Sequence, residues 1–256
     1  MGAVNWIGLW TLYLREVRRF LKVFTQTLAA PVVTTLLFLA VFVLALGGEG
    51  RIVGDTPFTE FLAPGLIVMA IAQNAFANTS SSIMVSKIQG NIIDTLMPPF
   101  TSHELTFGIA MGGATRGICV GFVVALAMAV FVDMRPHHLG YILYHGFMAS
   151  LMLSLLGTIG GIWSEKFDHI AAVTNFIITP LSFLSGTFYS IQRLPEGVQL
   201  AAHFNPFFYM IDGVRYGFTG HADGSLMAGL IVMAGANAVL WGVCTAMFAS
   251  GYKLKA

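Results

Sequence analysis

The sequence predicts an all-α polytopic membrane protein: six transmembrane helices, an N-terminal amphipathic interfacial helix and a re-entrant outer segment before the last span. Three observations predict it. Hydrophobic residues make up 56% of the chain and charged residues only 10%, against ~25% charged in soluble domains. Six apolar stretches reach the length of about 20 helical residues that a ~30 Å hydrocarbon core requires. A further stretch, 189–224, carries Arg193, Glu196, His203, Asp212 and Arg215 alongside Phe204, Phe207, Phe208, Tyr209, Tyr216 and Phe218. It is too charged to cross a bilayer and too aromatic to leave it. The whole chain, 1–256, reads as one transmembrane domain: a cytoplasmic interfacial helix (1–27), spans one to five (28–188), the outer re-entrant segment (189–224) and span six (225–250).

In the leader, Arg15, Arg18, Arg19 and Lys22 fall at i, i+3, i+4 and i+7 on one helix face, opposite an apolar stripe of Trp10, Leu14, Val17, Leu21 and Phe24. That pattern predicts a helix lying in the headgroup plane with its basic face toward anionic lipid. Signal-peptide cleavage near Ala45-Leu46-Gly47 is the competing reading. The run is too long for a signal core of about 7–15 residues, and its leader is too long as well.

The predicted spans are Leu28–Leu46, Phe61–Met84, Thr106–Val132, Leu139–Trp163, Ile170–Phe188 and Leu226–Ser250. None contains Asp, Glu or Lys, and the third alone contains an arginine, Arg116. Pro31, Pro64 and Pro180 sit in or near span ends, where lipid tolerates a kink. Cys119 and Cys244 lie inside apolar runs and read as small buried side chains. With the N-terminus inside, the cytoplasmic side holds Arg15, Arg18, Arg19, Lys22, Lys87, Lys166, Lys253 and Lys255. The outer side then holds Arg51, Arg135, Arg193 and Arg215. This bias places both termini in the cytoplasm and 189–224 outside.

Between spans two and three, Lys87–His103 is the longest cytoplasmic loop. Ile88, Ile92 and Leu96 form a short apolar ridge beside Asp94, and Pro98-Pro99 ends it. The segment is either a helix that docks on a partner or an ordinary interfacial turn. Span two is polar on one side, with Asn74, Asn78 and Ser81 at i, i+4 and i+7. Such residues make interhelical hydrogen bonds or line a route. Gly113, Gly117 and Gly121 give span three a small-residue face, open to packing within the chain or across a dimer. Twenty residues counted back from Val132 end at Gly113, so Arg116 either snorkels to the cytoplasmic surface or makes an inward polar contact. In the outer segment the i, i+3 spacing lets Asp212 and Arg215 pair. Its aromatic residues are expected to face lipid or cargo and its charges to stay at the water line.

Several activities find no support. The chain has no G-x-x-x-x-G-K-[ST] loop, no H-E-x-x-H and no G-x-S-x-G. Intramembrane Asp and Glu, the usual proton carriers, are missing from the spans, and His145 reads as a hydrogen-bonded structural histidine. No catalytic residue, bound cofactor or metal site is expected, and a net charge of +1 gives no ground for a nucleic-acid partner.

From Phe167 the chain reads F-D-x-I-x-x-V-x-x-F-I-I-T-P-L-S-F-L-S-G-T-F-Y, followed by Leu194-Pro195, Asn205-Pro206 and Arg215-Tyr216-Gly217. With six spans and an amphipathic leader, this resembles the ABC type-2 exporter permeases over essentially the whole chain. The resemblance implies a half-transporter of the bacterial inner membrane that pairs with a second permease copy and docks two separate ATPase subunits, which bind ATP and magnesium. It implies that Lys87–His103 is the coupling loop, and that 189–224 forms short outer-leaflet helices near the exit. The scarcity of intramembrane charge favours an amphipathic, lipid-like, glycan or drug-like cargo. A stand-alone channel or secondary transporter is the alternative.

Overall fold

The core of the molecule is the second apolar run. In the computed structural model, which describes residues 5–45, 52–53 and 56–254 and not the side chains of Arg193 and Ala201, it forms α3 (Phe58–Ile88). The helix exceeds the predicted span Phe61–Met84 by three residues at its start and four at its end, and it runs through Gln73, Asn74, Asn78 and Ser81 without a break. Ahead of it come α1 (Trp6–Leu21), α2 (Phe24–Ala45) and a two-stranded antiparallel pair, β1 (Ile52–Val53) and β2 (Thr56–Pro57). After it come α4 (Ile92–Leu96), α5 (Ser102–Met128) and α6 (Leu139–Trp163). The charges of Arg51 and Lys255 and the Leu46-Gly47 cleavage signal lie outside the described residues.

Span five, Phe167–Thr187, is broken by its sequence. It consists of α7 (Phe167–Val173), a π-turn at Thr174–Ile178, α8 (Thr179–Ser182) and a second π-turn at Phe183–Thr187. Pro180 has no N–H, and in a regular helix its ring would meet the carbonyl of Phe176. Widening the preceding turn relieves that conflict, and the Thr179 N–H reaches back to the Thr174 carbonyl. Gly186, at φ 83°, ends the span in a left-handed conformation that a residue with a Cβ adopts only under strain. Then follow α9 (Glu196–His203), α10 (Pro206–Thr219) and α11 (Leu226–Ser250).

Six helices are long and apolar enough to cross a membrane: α2, α3, α5, α6, the composite fifth span and α11. Their burial decides the architecture. In its most apolar stretch α3 is 78% buried, against 11% for α2 and 17% for α11. α3 is thus the central post, with α5 and α6 packed against it and α2 and α11 outermost.

Small residues set the helix spacing. A Cβ added at Gly113 would stand 2.3 Å from Ser154 Oγ, and one at Gly117 would stand 2.2 Å from Ser150 Oγ. At Gly121 it would meet Ile71 at 2.3 Å. This face of α5 is therefore filled by α3 and α6 of the same chain. The closeness permits hydrogen bonds between helices: Ser150 Oγ donates to the Ala114 carbonyl at 2.8 Å, Ser154 Oγ to Ala110 at 2.7 Å, and Thr79 Oγ1 to Ser154 at 2.7 Å. Each contributes ~0.6 kcal/mol in a membrane.

The predicted headgroup helix packs along α5. Asn5 N donates to Glu104 Oε1 at 2.9 Å, Leu12 covers Gly108, and Glu16 covers Gly112. Contacts thus advance together along α1 and α5, by ~16 Å and ~12 Å respectively at 1.5 Å per residue. The face that packs is Leu9, Leu12, Glu16 and Phe20, not the stripe drawn from periodicity. Trp10 and Leu21 of that stripe stay exposed, and so does Phe24 beyond the helix end. Cys119 is exposed on the outside of the bundle, contrary to expectation, while Cys244 is buried.

Candidate functional sites

α1, α4, the 164–166 turn and Lys253 gather at one end of the bundle, the terminal end. There α3 turns over into α4. Lys87 faces inward rather than outward: its ammonium donates to the Ile162 carbonyl at 2.7 Å and to that of Ser164, satisfying the end of α6. The expected ridge is rolled about its axis. Ile92 is buried with Leu12, Ile83 and Leu105, and Leu96 packs against the same cluster, leaving Ile88, Ile93 and Met97 exposed. Arg15 holds α4 in place through Thr95 Oγ1 at 2.8 Å. Asp94 and Pro99 are exposed and Pro98 is half-buried. After the two prolines a Thr101/Glu104 capping box opens α5. Beside the exposed ridge lies a groove of about 760 Å³ lined by Ile88, Ile93, Met97, Glu165 and Lys253. Lys253 donates to Glu165 at 2.7 Å and holds that carboxyl below its ordinary pKa.

The second site is a cleft of about 730 Å³ between α1, α2, α3 and α5. Asn74, Asn78 and Ser81 line it, and so do Arg19, Arg116 and Gln26. Arg19 donates to Asn78 Oδ1 at 3.0 Å, to the Asn78 carbonyl, and to Ser81 Oγ at 3.2 Å. Arg116 donates to Asn74 Oδ1 at 3.1 Å. Burial draws Arg19 below its ordinary pKa, and Glu16 opposes this. The helix carrying Arg116 ends at Met128, not Val132. Twenty residues back from there reach Ile109, which places Arg116 ~10 Å inside the apolar stretch. That depth favours the inward contact over snorkelling.

Sequence reasoning missed Arg19 and Glu16. Glu16, fully buried, sits 3.0 Å from Arg15 and 3.4 Å from Arg19. A lone acid amid four basic residues, at i, i+3 to Arg19, was the available signal.

The third site is at the opposite end, where α10 is inserted among α6, α3 and α11. Pro195 accepts the first hydrogen bonds of α9 from Val198 and Gln199. Asn205 caps α10 through the Phe207 N–H at 3.0 Å and donates to Ser185 Oγ at 2.8 Å, with Pro206 at the first helical position. Asp212 and Arg215 form no ion pair. Asp212 instead accepts the N–H groups of Asp223 at 2.8 Å and Gly224 at 3.0 Å, holding the turn into α11. Arg215, fully buried, donates to the Gly186 carbonyl and to that of Phe61 at 3.3 Å, and lies 3.8 Å over the Phe61 ring. Phe207, Phe208 and Tyr209 are buried too. Neither these three aromatic residues nor the charges of α10 lie where composition suggested, because a helix walled by three others satisfies both inside the protein, while Tyr216 and Phe218 are half-buried. Exposed apolar residues on and beside α9 include Val198, Leu200 and Phe204. His145 packs against Tyr141 and Tyr144, with the Tyr209 backbone beside its ring.

Residues 8–219 match the family described as ABC-2 type transporter. The chain belongs to this family. Among ABC-2 relatives, it is 33% identical to the inner membrane transport permease YadH of Escherichia coli K12 over 255 residues, all of both chains. It is 24% identical to nodulation protein J of Rhizobium leguminosarum bv. trifolii, over 86% of this chain and 83% of the relative. For the bv. viciae protein the figures are 26%, 84% and 82%. As an ABC-2 protein the chain is a multi-pass inner-membrane permease subunit of an ABC transporter, a transport component that works with ATP-binding subunits.

Proposed function

We propose that this permease works as a homodimer with two ATPase subunits and moves an amphipathic, lipid-like, glycan or drug-like substrate outward. Both termini lie in the cytoplasm, and α9 and α10 face the outside as a cap over the exit. The observation that carries this reading is the exposed apolar ridge of Ile88, Ile93 and Met97 on a helix tied to the bundle by Thr95 and Ile92. An apolar surface held this firmly at the terminal end suits a partner that pushes on it.

Co-expression with the ATPase encoded nearest its gene tests the assembly. A stable complex of two permeases and two ATPases, with ATPase activity raised in the presence of the permease, is the expected result. Transport by the permease alone would sink the reading. Orientation has its own test. Cysteine at Phe204, 80% exposed, is expected to react with impermeant reagent from outside, and at fully buried Phe208 to resist it. Labelling of Phe204→Cys from the cytoplasm alone would reverse the topology.

A further inference from the structure

The cleft between α2, α3 and α5 carries more positive charge than its own residues neutralise. Arg19 sits on Asn78 and Arg116 on Asn74, so the two arginines are held by residues one turn, ~6 Å, apart along α3. Glu16 is the sole carboxylate paired with this group among the described residues, and Arg15 and Arg19 share it. Arg116 has a neutral amide as its one hydrogen-bond partner, and its Nε is buried without any. The Arg19 Nε faces Glu16 Oε2 at 3.4 Å, so the unpaired cation of the two is Arg116. A guanidinium at this depth with no counter-ion is costly, and groups in such positions mark substrate or ion pathways.

The surroundings define what fits. The walls add Gln26, Gln73 and Thr34 as neutral polar groups, and Val23, Ala30 and Met69 as apolar ones. Pro31 lies in the cleft wall and cannot donate to the Thr27 carbonyl, which leaves that carbonyl without its regular helical partner. Past the cleft, α2 exposes Val33, Leu37, Val41 and Leu44 along its length. A bidentate cation pair above an open apolar track matches a molecule with an acidic head and a hydrocarbon tail.

We propose that this cleft binds the acidic head group of an amphiphile, a phosphate-class anion gripped by Arg19 and Arg116 and positioned by Asn74 and Asn78, with the tail running along α2. The proposal deepens the reading of the chain as an exporter of amphipathic cargo and rests on it for the identity of the occupant as cargo. Binding itself is measurable without transport. A failed binding test therefore leaves the permease reading standing, and a failed ATPase assembly leaves the site standing.

The purified permease is titrated in phosphatidylcholine nanodiscs with dansyl-labelled phosphatidic acid, dansyl-labelled phosphatidylcholine and inorganic phosphate. Wild type is expected to bind the phosphatidic acid probe saturably and the phosphatidylcholine probe at least tenfold more weakly. Arg116→Gln is expected to weaken the acidic probe about tenfold, and Arg116→Lys to retain part of the affinity, because it keeps charge without the planar fork. Arg135→Gln, at an exposed arginine of the opposite end, is expected to change nothing. If Arg116→Gln does not fold, Arg19→Gln carries the same expectation. Equal affinity of folded Arg116→Gln or Arg19→Gln and wild type overturns the site and leaves Arg116 as glue between α3 and α5. Equal binding of the two lipid probes overturns the acidic specificity. Displacement of the probe by inorganic phosphate at matching concentration overturns the role of the tail.

Discussion

Arg215→Ala is expected to be the most damaging single change outside the spans, lowering stability by ~3–5 kcal/mol. The side chain is fully buried between three elements. Its guanidinium takes the Gly186 carbonyl where the fifth span ends, takes the Phe61 carbonyl on α3, and covers the Phe61 ring. Alanine would leave a void of most of an arginine and strip the Gly186 carbonyl of that donor. Glycine at φ 83° gives that peptide no regular helical alternative. Arg215→Lys is expected to rescue little, because a single ammonium cannot span both carbonyls or stack on the ring. Thermal unfolding of the detergent-purified protein, followed by size-exclusion chromatography, reads the effect. A melting temperature within a few degrees of wild type for Arg215→Ala would show that the guanidinium is not the tie between span five, α3 and α10.

Ile93→Asp combined with Met97→Asp is expected to remove stimulation of the partner ATPase almost entirely while the permease stays folded. Both residues are exposed at the terminal end, so charge there is harmless to the isolated subunit. In a buried interface, each loses an apolar contact and gains a desolvated carboxylate, a change on the order of 2 kcal/mol or more per residue. Two such changes weaken association ~1000-fold if they act independently. Ile92→Asp is the contrasting control. Ile92 is buried in the cluster with Leu12, Ile83 and Leu105, so it is expected to destabilise the permease itself. ATPase rates measured with and without permease, alongside pull-down of the complex, separate the two. Full stimulation by the double variant would exclude α4 as the coupling element.

How these sites were legible differs residue by residue. The spans were readable because each must satisfy its backbone internally and face lipid with apolar atoms, which leaves an unmistakable composition. Asn74, Asn78 and Ser81 stood out for the same reason, as polar groups at helical spacing in an apolar run. Their partners did not, because Arg19 is about sixty residues away and looked like any basic residue of an interfacial helix. The glycine face of α5 was visible in spacing, yet periodicity is silent on whether a neighbouring helix belongs to the same chain. The roll of α4 was hidden by its length. Five residues make too little of a turn for an apolar ridge to reveal which side packs.

The sequence alone determined a six-span helical protein, a kink-tolerant proline in span five, the loop beyond Lys87 and a charged, aromatic segment ahead of the last span. Each follows from a local cost: hydrocarbon length, a missing N–H, a pair of prolines, charge that cannot cross. The tertiary structure decided the rest. It buried Arg215, Phe207, Phe208 and Tyr209, laid α1 along α5, and gathered Arg19 and Arg116 around one cleft. Those outcomes depend on which carbonyl or counter-charge another helix presents, and local sequence does not encode that choice.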